Sequence, residues 1–226
     1  MNFGEINSKF DNLQIEGHFI SKKFDKKNFQ SSYNLNLMNN KKIIIPQQTH
    51  SANVKFSDLP GSIPRCDGVF TSNPELVCSL KVADCMPIYF AHKSKIIFGL
   101  VHAGWRGLTS GILKNTGKLL KNLKYELKNF DIVIGPSIQD CCFEIADDIK
   151  DHFSEQYLQI KTNGKYRVNI QNIAVDFLIK IGFSKQAIHI IDDCTFCMEE
   201  FYYSFRRDNG TQDRMVALIR YKNHNN

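Results

Sequence analysis

Residues 96–107 read Ile-Ile-Phe-Gly-Leu-Val-His-Ala-Gly-Trp-Arg-Gly, and this stretch decides the fold. Its apolar first part, 96–102, has the length and character of a buried β-strand. Glycines then lead into a segment where leucine and isoleucine recur at helical spacing from 112 to 127, with lysines on the opposite face. Either Thr109 or Ser110 is expected to cap that helix. A strand that turns directly into an amphipathic helix is typical of α/β domains.

Further short apolar runs predict strands on both sides of this stretch. They cover residues 43–45, 69–71, 76–82, 88–91, 131–134, 187–191 and 215–221. Two more helical patterns follow, one through Ile145, Ile149 and Phe153 and one over residues 170–181 with Gly182 as its stop. Several strands follow one another directly before residue 102, which indicates a mixed sheet rather than a purely parallel one.

Length and composition place the chain among globular proteins. It has 226 residues, a formal net charge of +6 and 42% hydrophobic residues, which excludes a largely disordered chain. We expect one domain over residues 1–226, with a frayed tail at 222–226. The longest apolar run, 96–101, is too short to span a bilayer, and the polar start at 1–10 contains no readable signal peptide. We therefore expect a cytoplasmic protein without membrane association.

Charge and cysteine usage narrow the function classes further. The lysines are dispersed, and the sequence contains no recognition helix, aromatic RNA-binding motif or long basic tract, so we expect no nucleic-acid partner. Seven cysteines, an odd number, argue against a disulfide framework in a chain without a signal peptide. Some of these cysteines are therefore candidates for metal ligands or catalysts.

Three segments place reactive side chains at the ends of predicted strands, namely 47–50, 82–87 and 101–107. Within them, His50, Cys85 and His102 can form a zinc centre of two imidazoles and one thiolate, which leaves a fourth position open. The three lie 35 and 17 positions apart, a spacing that matches no local metal-binding signature. Spacing alone therefore leaves open that the two histidines merely end strands and that Cys85 is a small core residue.

The residues beside this set have two interpretations each. Gly104 and Gly107 permit close backbone approach, and Arg106 beside a helix start presents a planar fork for phosphate or carboxylate. A plain tight turn with a surface arginine explains the same pattern. Asp84 adjoins Cys85 and can orient a ligand histidine, move a proton or simply cap a turn.

The remaining cysteines form two short groups. Cys194-Thr-Phe-Cys197 is a lone Cys-x-x-Cys pair, and we expect core or turn residues there because no second such pair exists to complete a zinc site. Cys141 and Cys142 follow a Gly-Pro turn, and either can be a nucleophile near a histidine. Because neighbours in a strand point to opposite faces, the two are not expected to share one site.

Several motifs taken together resemble a known family. They are 48–54 (Gln-Thr-His-Ser-Ala-Asn-Val), 66–71 (Cys-Asp-Gly-Val-Phe-Thr), 83–87 (Ala-Asp-Cys-Met-Pro), 102–107, 134–138, 141–144, 193–195 and 203–208. Over about residues 17–221 the chain resembles the YfiH or laccase-domain family, whose members are also described as multicopper polyphenol oxidase-like proteins, purine nucleoside phosphorylases and peptidoglycan editing factors. The resemblance implies an α/β fold, a single-domain α/β/β/α-type sandwich with mixed β-sheets.

The resemblance also implies a chemistry. It makes His50, Cys85 and His102 the ligands of Zn²⁺, with copper as the less favoured ion. It implies phosphorolysis of adenosine, inosine and S-methyl-5′-thioadenosine to free base plus ribose 1-phosphate, and hydrolytic deamination of adenosine. The partners are then purine nucleosides and phosphate, bound by a monomer or homodimer. Residues 17–37 and 211–214 depart from the family pattern, which bears on substrate preference more than on metal binding.

From these observations we assign roles to individual residues. Catalysis is assigned to Asp84, Arg106 and His102, with Asp84 as the proton carrier in deamination. Substrate contacts are assigned to Gln48, Gly104, Arg106 and Cys141. Three alternatives stay open. One is a thiol hydrolase acting in peptidoglycan editing, with Cys85 or Cys141 as nucleophile and His102 as base. The others are a copper-dependent phenol oxidase, which the seven histidines serve poorly, and a non-catalytic binding protein.

Overall fold

Strands supply most of the regular structure of the chain. The computed structural model describes residue 6 and the ranges 8–10, 13–22, 42–160 and 164–222. The strands are β1 (Ile15–Ile20), β2 (Ile43–Pro46), β3 (Val54–Phe56), β4 (Gly61–Ile63), β5 (Gly68–Thr71), β6 (Val77–Val82), β7 (Met86–His92), β8 (Phe98–Ala103), β9 (Phe130–Ile134), β10 (Glu144–Ile145), β11 (Leu158–Ile160), β12 (Tyr166–Val168), β13 (Ile188–Ile190) and β14 (Met215–Tyr221). The helices are α1 (Trp105–Thr109), α2 (Ile112–Asn122) and α3 (Ile170–Ile181), with 3₁₀ turns at Leu127–Asn129, Asp147–His152, Glu155–Tyr157 and Lys185–Ala187.

The predicted α/β class with mixed sheets is confirmed. A six-stranded sheet has the order β13-β9-β7-β8-β5-β3, with parallel pairs at its two edges and antiparallel pairs between them. A five-stranded sheet has the order β1-β14-β6-β2-β4, of which the first two pairs are antiparallel and the last two parallel. A small antiparallel sheet, β10-β12-β11, lies beside them in the chain's second half.

The six-stranded sheet is buried on both faces. In β7, the side chains of Met86, Ile88 and Phe90 belong to the core shared with the helices. Tyr89 and Ala91 belong instead to the core shared with the five-stranded sheet. This alternation explains why the central strands read as unbroken apolar runs, since a strand covered on both sides needs apolar residues at every position.

Helices α2 and α3 cover the outer face of the six-stranded sheet. Leu113 and Leu120 of α2, with Ile173 and Leu178 of α3, are buried in the same core as β7. Burial of each such side chain contributes about 1.5–3 kcal/mol to stability. The predicted stop at Gly182 is confirmed, since that residue has the left-handed φ of 116° that glycine tolerates. Among the described helices, none has the length and apolar character needed to cross a membrane.

The start of the leucine-rich helix was predicted wrongly. Helix α2 begins at Ile112 after Gly111, whose φ is 91°, and neither Thr109 nor Ser110 caps it. The short helix α1 occupies the preceding residues instead, and the hydroxyl of Thr109 donates within α1 to the carbonyl of Trp105 at 3.0 Å. Gly111, which has no side chain, occupies the position before α2, so no hydroxyl caps this helix.

The other sequence predictions concern the strands, one further helix and the chain ends. All eight predicted strands exist, with ends that differ by at most two residues from those predicted. The missed strands are β1 and five strands of only two or three residues, too short to produce a periodic pattern. The helical pattern through Ile145 is wrong, because Ile145 pairs with Tyr166 in the small sheet and a 3₁₀ turn follows. Residues 23–37, and residues 223–226 of the tail predicted at 222–226, lie outside the described residues.

Candidate metal centre and substrate cavity

Three chain segments at strand ends bring His50, Cys85 and His102 together. His50 lies in the loop after β2, Cys85 directly precedes β7, and His102 is the penultimate residue of β8. Since Pro87 lies opposite His102 in the antiparallel β7–β8 pair, the start of β7 meets the end of β8. The Cys85 sulfur and one ring nitrogen from each histidine all lie within 4.8 Å of one another. The convergence expected from the sequence is therefore present.

These three side chains run from the surface to the core. His50 is exposed, Cys85 is partly buried and His102 is buried. The two imidazole rings meet edge to face, with 4.8 Å between their centroids. An ion held by these donors would keep one side open to solvent and substrate.

Asp67 organises this centre from behind. Its buried carboxylate lies 2.9 Å from Nδ1 of His102 and accepts hydrogen bonds from the backbone N–H groups of His50 at 2.9 Å and Ser51 at 2.7 Å. Burial alone would raise the pKa of Asp67, but the hydrogen bonds from His102 and Ser51 hold it well below its ordinary value. Because Asp67 engages Nδ1 of His102, the other ring nitrogen, Nε2, is the one left for a metal.

Sequence reasoning assigned no role to Asp67. The only available signal was its place in the motif Cys66-Asp67-Gly68, immediately before β5. An aspartate before a strand is usually a turn residue, and the six donors to the carboxylate of Asp67 come from residues 16 to 35 positions away. Only the folded chain brings those donors to one carboxylate.

Two residues of the centre have left-handed backbone conformations. The φ angles are 57° at His50 and 79° at Asp84, a region that residues other than glycine rarely adopt. Each such residue costs about 1–3 kcal/mol and persists where its surroundings fix it. At His50 the bond from its N–H to Asp67 does so. The strain aims the imidazole of His50 towards Cys85.

Asp84 is held by the C-terminal part of the chain. One carboxylate oxygen accepts from the hydroxyl of Thr195 at 2.6 Å. The other accepts from the hydroxyl of Ser204 at 3.0 Å and from the backbone N–H of Arg206 at 2.8 Å. These contacts of Asp84 favour a positioning role over proton transfer. His102 is oriented by Asp67 and not by Asp84.

Cys85 and His102 polarise each other. Burial opposes ionisation of Cys85, but the charge and hydrogen bond of His102, together with His50, lower the pKa of the thiol to about 6. Burial likewise disfavours the imidazolium, yet attraction to Cys85 and the bond to Asp67 raise the pKa of His102 to about 9. The charged form of each residue therefore favours the charged form of the other.

Gly104 is needed for space rather than for conformation. A Cβ atom at this position would lie 2.7 Å from the sulfur of Cys85 and 3.3 Å from Cδ2 of His50. Any side chain there would push these two donors apart. The glycine that we assigned to substrate contact thus also lets the backbone pass directly over the metal-binding atoms.

The centre opens into a cavity of about 1260 Å³. All four residues assigned to substrate contact, Gln48, Gly104, Arg106 and Cys141, line this cavity. Its walls also carry the cationic side chains Lys81, Lys165, Arg206 and Arg214 and the aromatic rings of Trp105, Phe143, Phe196 and Phe205. Such a mixture suits a ligand with a planar apolar part and a negatively charged part.

The predicted substrate residues differ in how free they are to bind. The guanidinium of Arg106 stacks at 4.4 Å over the ring of Trp105, and within the described part of the chain no carboxylate pairs with it. The amide of Gln48 is already engaged, since it accepts from the backbone N–H of Lys81 at 2.9 Å and donates to its carbonyl at 2.8 Å. Arg106 is therefore available to an anion, while Gln48 anchors its loop to β6.

The helix start beside Arg106 attracts an anion less strongly than the sequence indicated. Gly104 precedes α1, which has only five residues, and not the long leucine-rich helix. The dipole of so short a helix contributes little. Any preference of this wall for anions therefore comes from the arginine itself.

The similarity of the whole chain to known proteins identifies its family. Residues 16–222 match the family described as multi-copper polyphenol oxidoreductase laccase. The chain belongs to this family. The match includes all three donors, Asp67 and both cysteine pairs, so this laccase-domain protein contains the complete site within the matched range.

Related proteins cover most of this laccase-domain chain. A protein of Haemophilus influenzae named purine nucleoside phosphorylase is 34% identical over 76% of this chain and 71% of its own length. The purine nucleoside phosphorylase YlmD of Geobacillus stearothermophilus is 29% identical over 76% of this chain and 70% of its own. The crystal structure of YlmD from the same organism has a TM-score of 0.85, with 22% identity over 95% of this chain and 94% of that one. The hypothetical protein YfiH of Bacillus licheniformis has a TM-score of 0.82 and 22% identity, covering 92% of this chain and 93% of its own.

This laccase-domain protein has a second group of metal-capable side chains, which the sequence did not predict. The sulfur atoms of Cys141, Cys142, Cys194 and Cys197 all lie within 4.8 Å of one another. The expectation that Cys141 and Cys142 do not face one site is wrong, and it is this adjacent pair, not a second Cys-x-x-Cys, that meets Cys194 and Cys197. Cys141 and Cys142 lie in a turn, where successive side chains do not alternate between faces as they do in a strand.

Proposed function

We propose that this protein is a purine nucleoside phosphorylase that uses a zinc ion held by His50, Cys85 and His102. The observation that carries the proposal is that these donors open into the same cavity as the available guanidinium of Arg106. One cavity thus offers a metal position and an anion position side by side. The relatives named purine nucleoside phosphorylase, at 29% and 34% identity, support this reaction class.

The donor set fits zinc. Two imidazole nitrogens and one thiolate are ligands that zinc prefers, and three protein donors leave a position open, as catalytic zinc sites do. Asp67 fixes the ring of His102, and Gly104 leaves room for the donors to converge. Copper binds the same donor types, but multicopper oxidation needs several copper centres, and among the described residues the other metal-capable group consists of cysteines alone. When bound, zinc would supply positive charge and lower the pKa of a coordinated water towards neutrality.

Phosphorolysis requires phosphate and nucleoside to meet in a fixed geometry. An oxygen of phosphate forms a bond to C1′ of the ribose while the bond from C1′ to the purine nitrogen breaks and its electron pair leaves with the base. We assign the phosphate to Arg106, whose planar fork matches two phosphate oxygens. Stacking on Trp105 holds the plane of that fork. Arg206 and Arg214, which also line the cavity, favour the negative charge that develops on the departing base.

We extend the proposal to adenosine, inosine and S-methyl-5′-thioadenosine as substrates and to hydrolytic deamination of adenosine. The cavity of about 1260 Å³ leaves room for different substituents at the 5′ position of the ribose. In deamination, a proton must reach the departing amine. Because Asp84 accepts bonds from Thr195, Ser204 and Arg206, we propose that it positions the wall carrying Arg206, and its use as proton carrier would require one of these bonds to break.

One observation favours a second candidate function. Cys85, His102 and Asp67 follow one another as thiol, imidazole and carboxylate, the order found in thiol hydrolases. With Cys85 as nucleophile and His102 as its base, the same cavity would serve amide hydrolysis, including the peptidoglycan editing considered above. A bound zinc ion excludes this use, because the metal occupies the nucleophile. The two functions therefore differ in their response to metal removal.

The deciding experiment is a nucleoside panel with the purified protein as isolated, after treatment with a chelator, and after return of zinc. We expect inosine to yield free base and ribose 1-phosphate only when phosphate is present, with turnover lost on chelation and restored by zinc. Release of free base without phosphate, or no nucleoside turnover in any sample, would contradict the phosphorylase. Turnover of an amide substrate that survives chelation and stops with iodoacetamide would establish the thiol hydrolase instead.

A further inference from the structure

We propose that Cys141, Cys142, Cys194 and Cys197 form a second, structural metal site that binds a thiophilic divalent cation such as Zn²⁺. The four thiolates would be its only protein ligands. This site is separate from the centre at His50, Cys85 and His102, since the two groups share no residue. It goes beyond the proposed catalytic function, because a closed set of four sulfur donors leaves no position for substrate.

The distances between the sulfur atoms suit tetrahedral coordination. Zinc–sulfur bonds of about 2.3 Å place the sulfurs of a regular tetrahedron roughly 3.8 Å apart. Sγ of Cys197 lies 3.7 Å from that of Cys141 and 3.2 Å from that of Cys142. With every pair inside 4.8 Å, small rotations of the side chains suffice to enclose an ion. Four sulfurs in this arrangement select zinc-like ions over magnesium or calcium.

Backbone contacts hold the two cysteine pairs opposite each other. Ser137 forms a parallel bridge with Cys194, and the N–H of Thr195 donates to the carbonyl of Ser137 at 3.1 Å. The N–H of Gln139 points at Sγ of Cys194 at 3.5 Å, a contact that stabilises a thiolate. In each of these contacts at least one partner is a backbone group. The donors are therefore brought together by the fold before any ion binds.

Hydrogen bonds from Arg207 fix the turn between Cys194 and Cys197. Nη1 of Arg207 donates to the carbonyl of Thr195 at 2.8 Å and to that of Phe196 at 2.9 Å. The guanidinium is itself held by Asp208, with Nε 2.7 Å from a carboxylate oxygen. Outer contacts of this kind hold the ligands of structural metal sites in position.

The expected role of the ion is to tie down one wall of the substrate cavity. Cys141, Cys142, Phe143 and Phe196 all line that cavity, and they belong to the two turns that the ion would join. Without an ion, the side chains of Cys141 and Cys197 are exposed thiols. A wall built from two turns needs such a link more than one built from strands, because turns have fewer backbone bonds of their own.

The test counts metal in the full chain by elemental mass spectrometry after saturation with Zn²⁺ and removal of excess. We expect two ions per wild-type chain, one in Cys197→Ala, one in Cys85→Ala and none in the double variant. Cys78→Ala, at a buried cysteine in β6 outside both groups, is the matched control and should keep two. Cobalt-loaded Cys85→Ala should show the absorption of a tetrahedral tetrathiolate centre. Two ions in Cys197→Ala, or a single wild-type ion that is kept in Cys197→Ala and lost in Cys85→Ala, would overturn the site.

A measurement on the wild-type protein remains decisive even if the variants do not fold. Cysteine alkylation with N-ethylmaleimide, mapped by mass spectrometry, should spare Cys141 and Cys197 in the zinc-loaded protein despite their exposure. A chelator should make both react rapidly without any reductant. Rapid labelling of the zinc-loaded protein would refute the proposal. So would labelling that requires a reductant and not a chelator, since this pattern identifies a disulfide.

Discussion

The two sulfur-containing groups of this protein are assembled in opposite ways. In the first, His50, Cys85 and His102 stand at strand ends, with a buried carboxylate behind them and a cavity in front. In the second, four cysteines stand in two turns that face each other, with backbone N–H groups and an arginine around them. The first offers three donors of two kinds, the second four of one kind.

This difference separates a site for chemistry from a site for stability. Three donors with an exposed member leave room for a reacting molecule, while four sulfurs close around their ion. The two groups also differ in backbone strain, which is found at the His50, Cys85 and His102 centre and not at the four cysteines. His50 and Asp84 have left-handed backbone, whereas none of the four cysteines does. Hydrogen bonds from the N–H of His50 and to the carboxylate of Asp84 hold this strained backbone in place.

The largest effect is expected from removing the sulfur of the first group. Cys85→Ala should lower bound zinc by one equivalent and reduce phosphorolysis to background, because the ligand set is broken. Cys194→Ser, in the second group, should keep turnover close to that of wild type and lose thermal stability instead. Parallel assays of metal content, inosine phosphorolysis and melting temperature check both variants. Full zinc occupancy in Cys85→Ala would contradict the role of Cys85 as a metal ligand. Collapse of turnover in Cys194→Ser would contradict a purely structural role for the four cysteines.

A smaller effect is expected from the carboxylate behind the first group. Asp67→Asn should weaken zinc binding by roughly 10- to 100-fold, because the amide orients His102 less well and carries no charge. Zinc affinity is measured by competition with a chromophoric chelator. Asp58→Asn is the matched control, since Asp58 also accepts bonds from a hydroxyl of Thr71 at 2.8 Å and the N–H of Ser72 at 2.8 Å, but contacts no donor of either group. Equal zinc affinity in the two variants would show that Asp67 serves only the fold.

The smallest of the three effects concerns substrate rather than metal. Arg106→Ala should raise the KM for phosphate roughly 10-fold, the value of one lost charged hydrogen bond, while zinc content stays at the wild-type level. Arg106→Lys should recover only part of the loss, since an ammonium cannot bind two oxygens as a fork does. Steady-state kinetics at varied phosphate concentrations provide the measurement. An unchanged KM in Arg106→Ala would assign the phosphate to another cation of the cavity wall.

The sequence predicted the parts of the fold that depend on patterns along the chain. The eight predicted strands and α3 follow from continuous or periodic apolar residues, and Gly182 ends α3 where predicted. The missed strands of two or three residues carry no such pattern, and the boundary between α1 and α2 depends on a glycine at φ 91° that any glycine can reach. These elements are decided by their tertiary neighbours.

Residue types and strand-end positions made His50, Cys85 and His102 candidates, and the resemblance to the family made them the expected metal ligands. Their convergence, the carboxylate of Asp67 and the meeting of Cys141 and Cys142 with Cys194 and Cys197 were decided only by the tertiary structure. The physical reason is that local propensity acts over a few residues, while a coordination sphere collects atoms that the chain separates by tens of positions. Strand order and register, not the order of residues, determine which of those atoms meet.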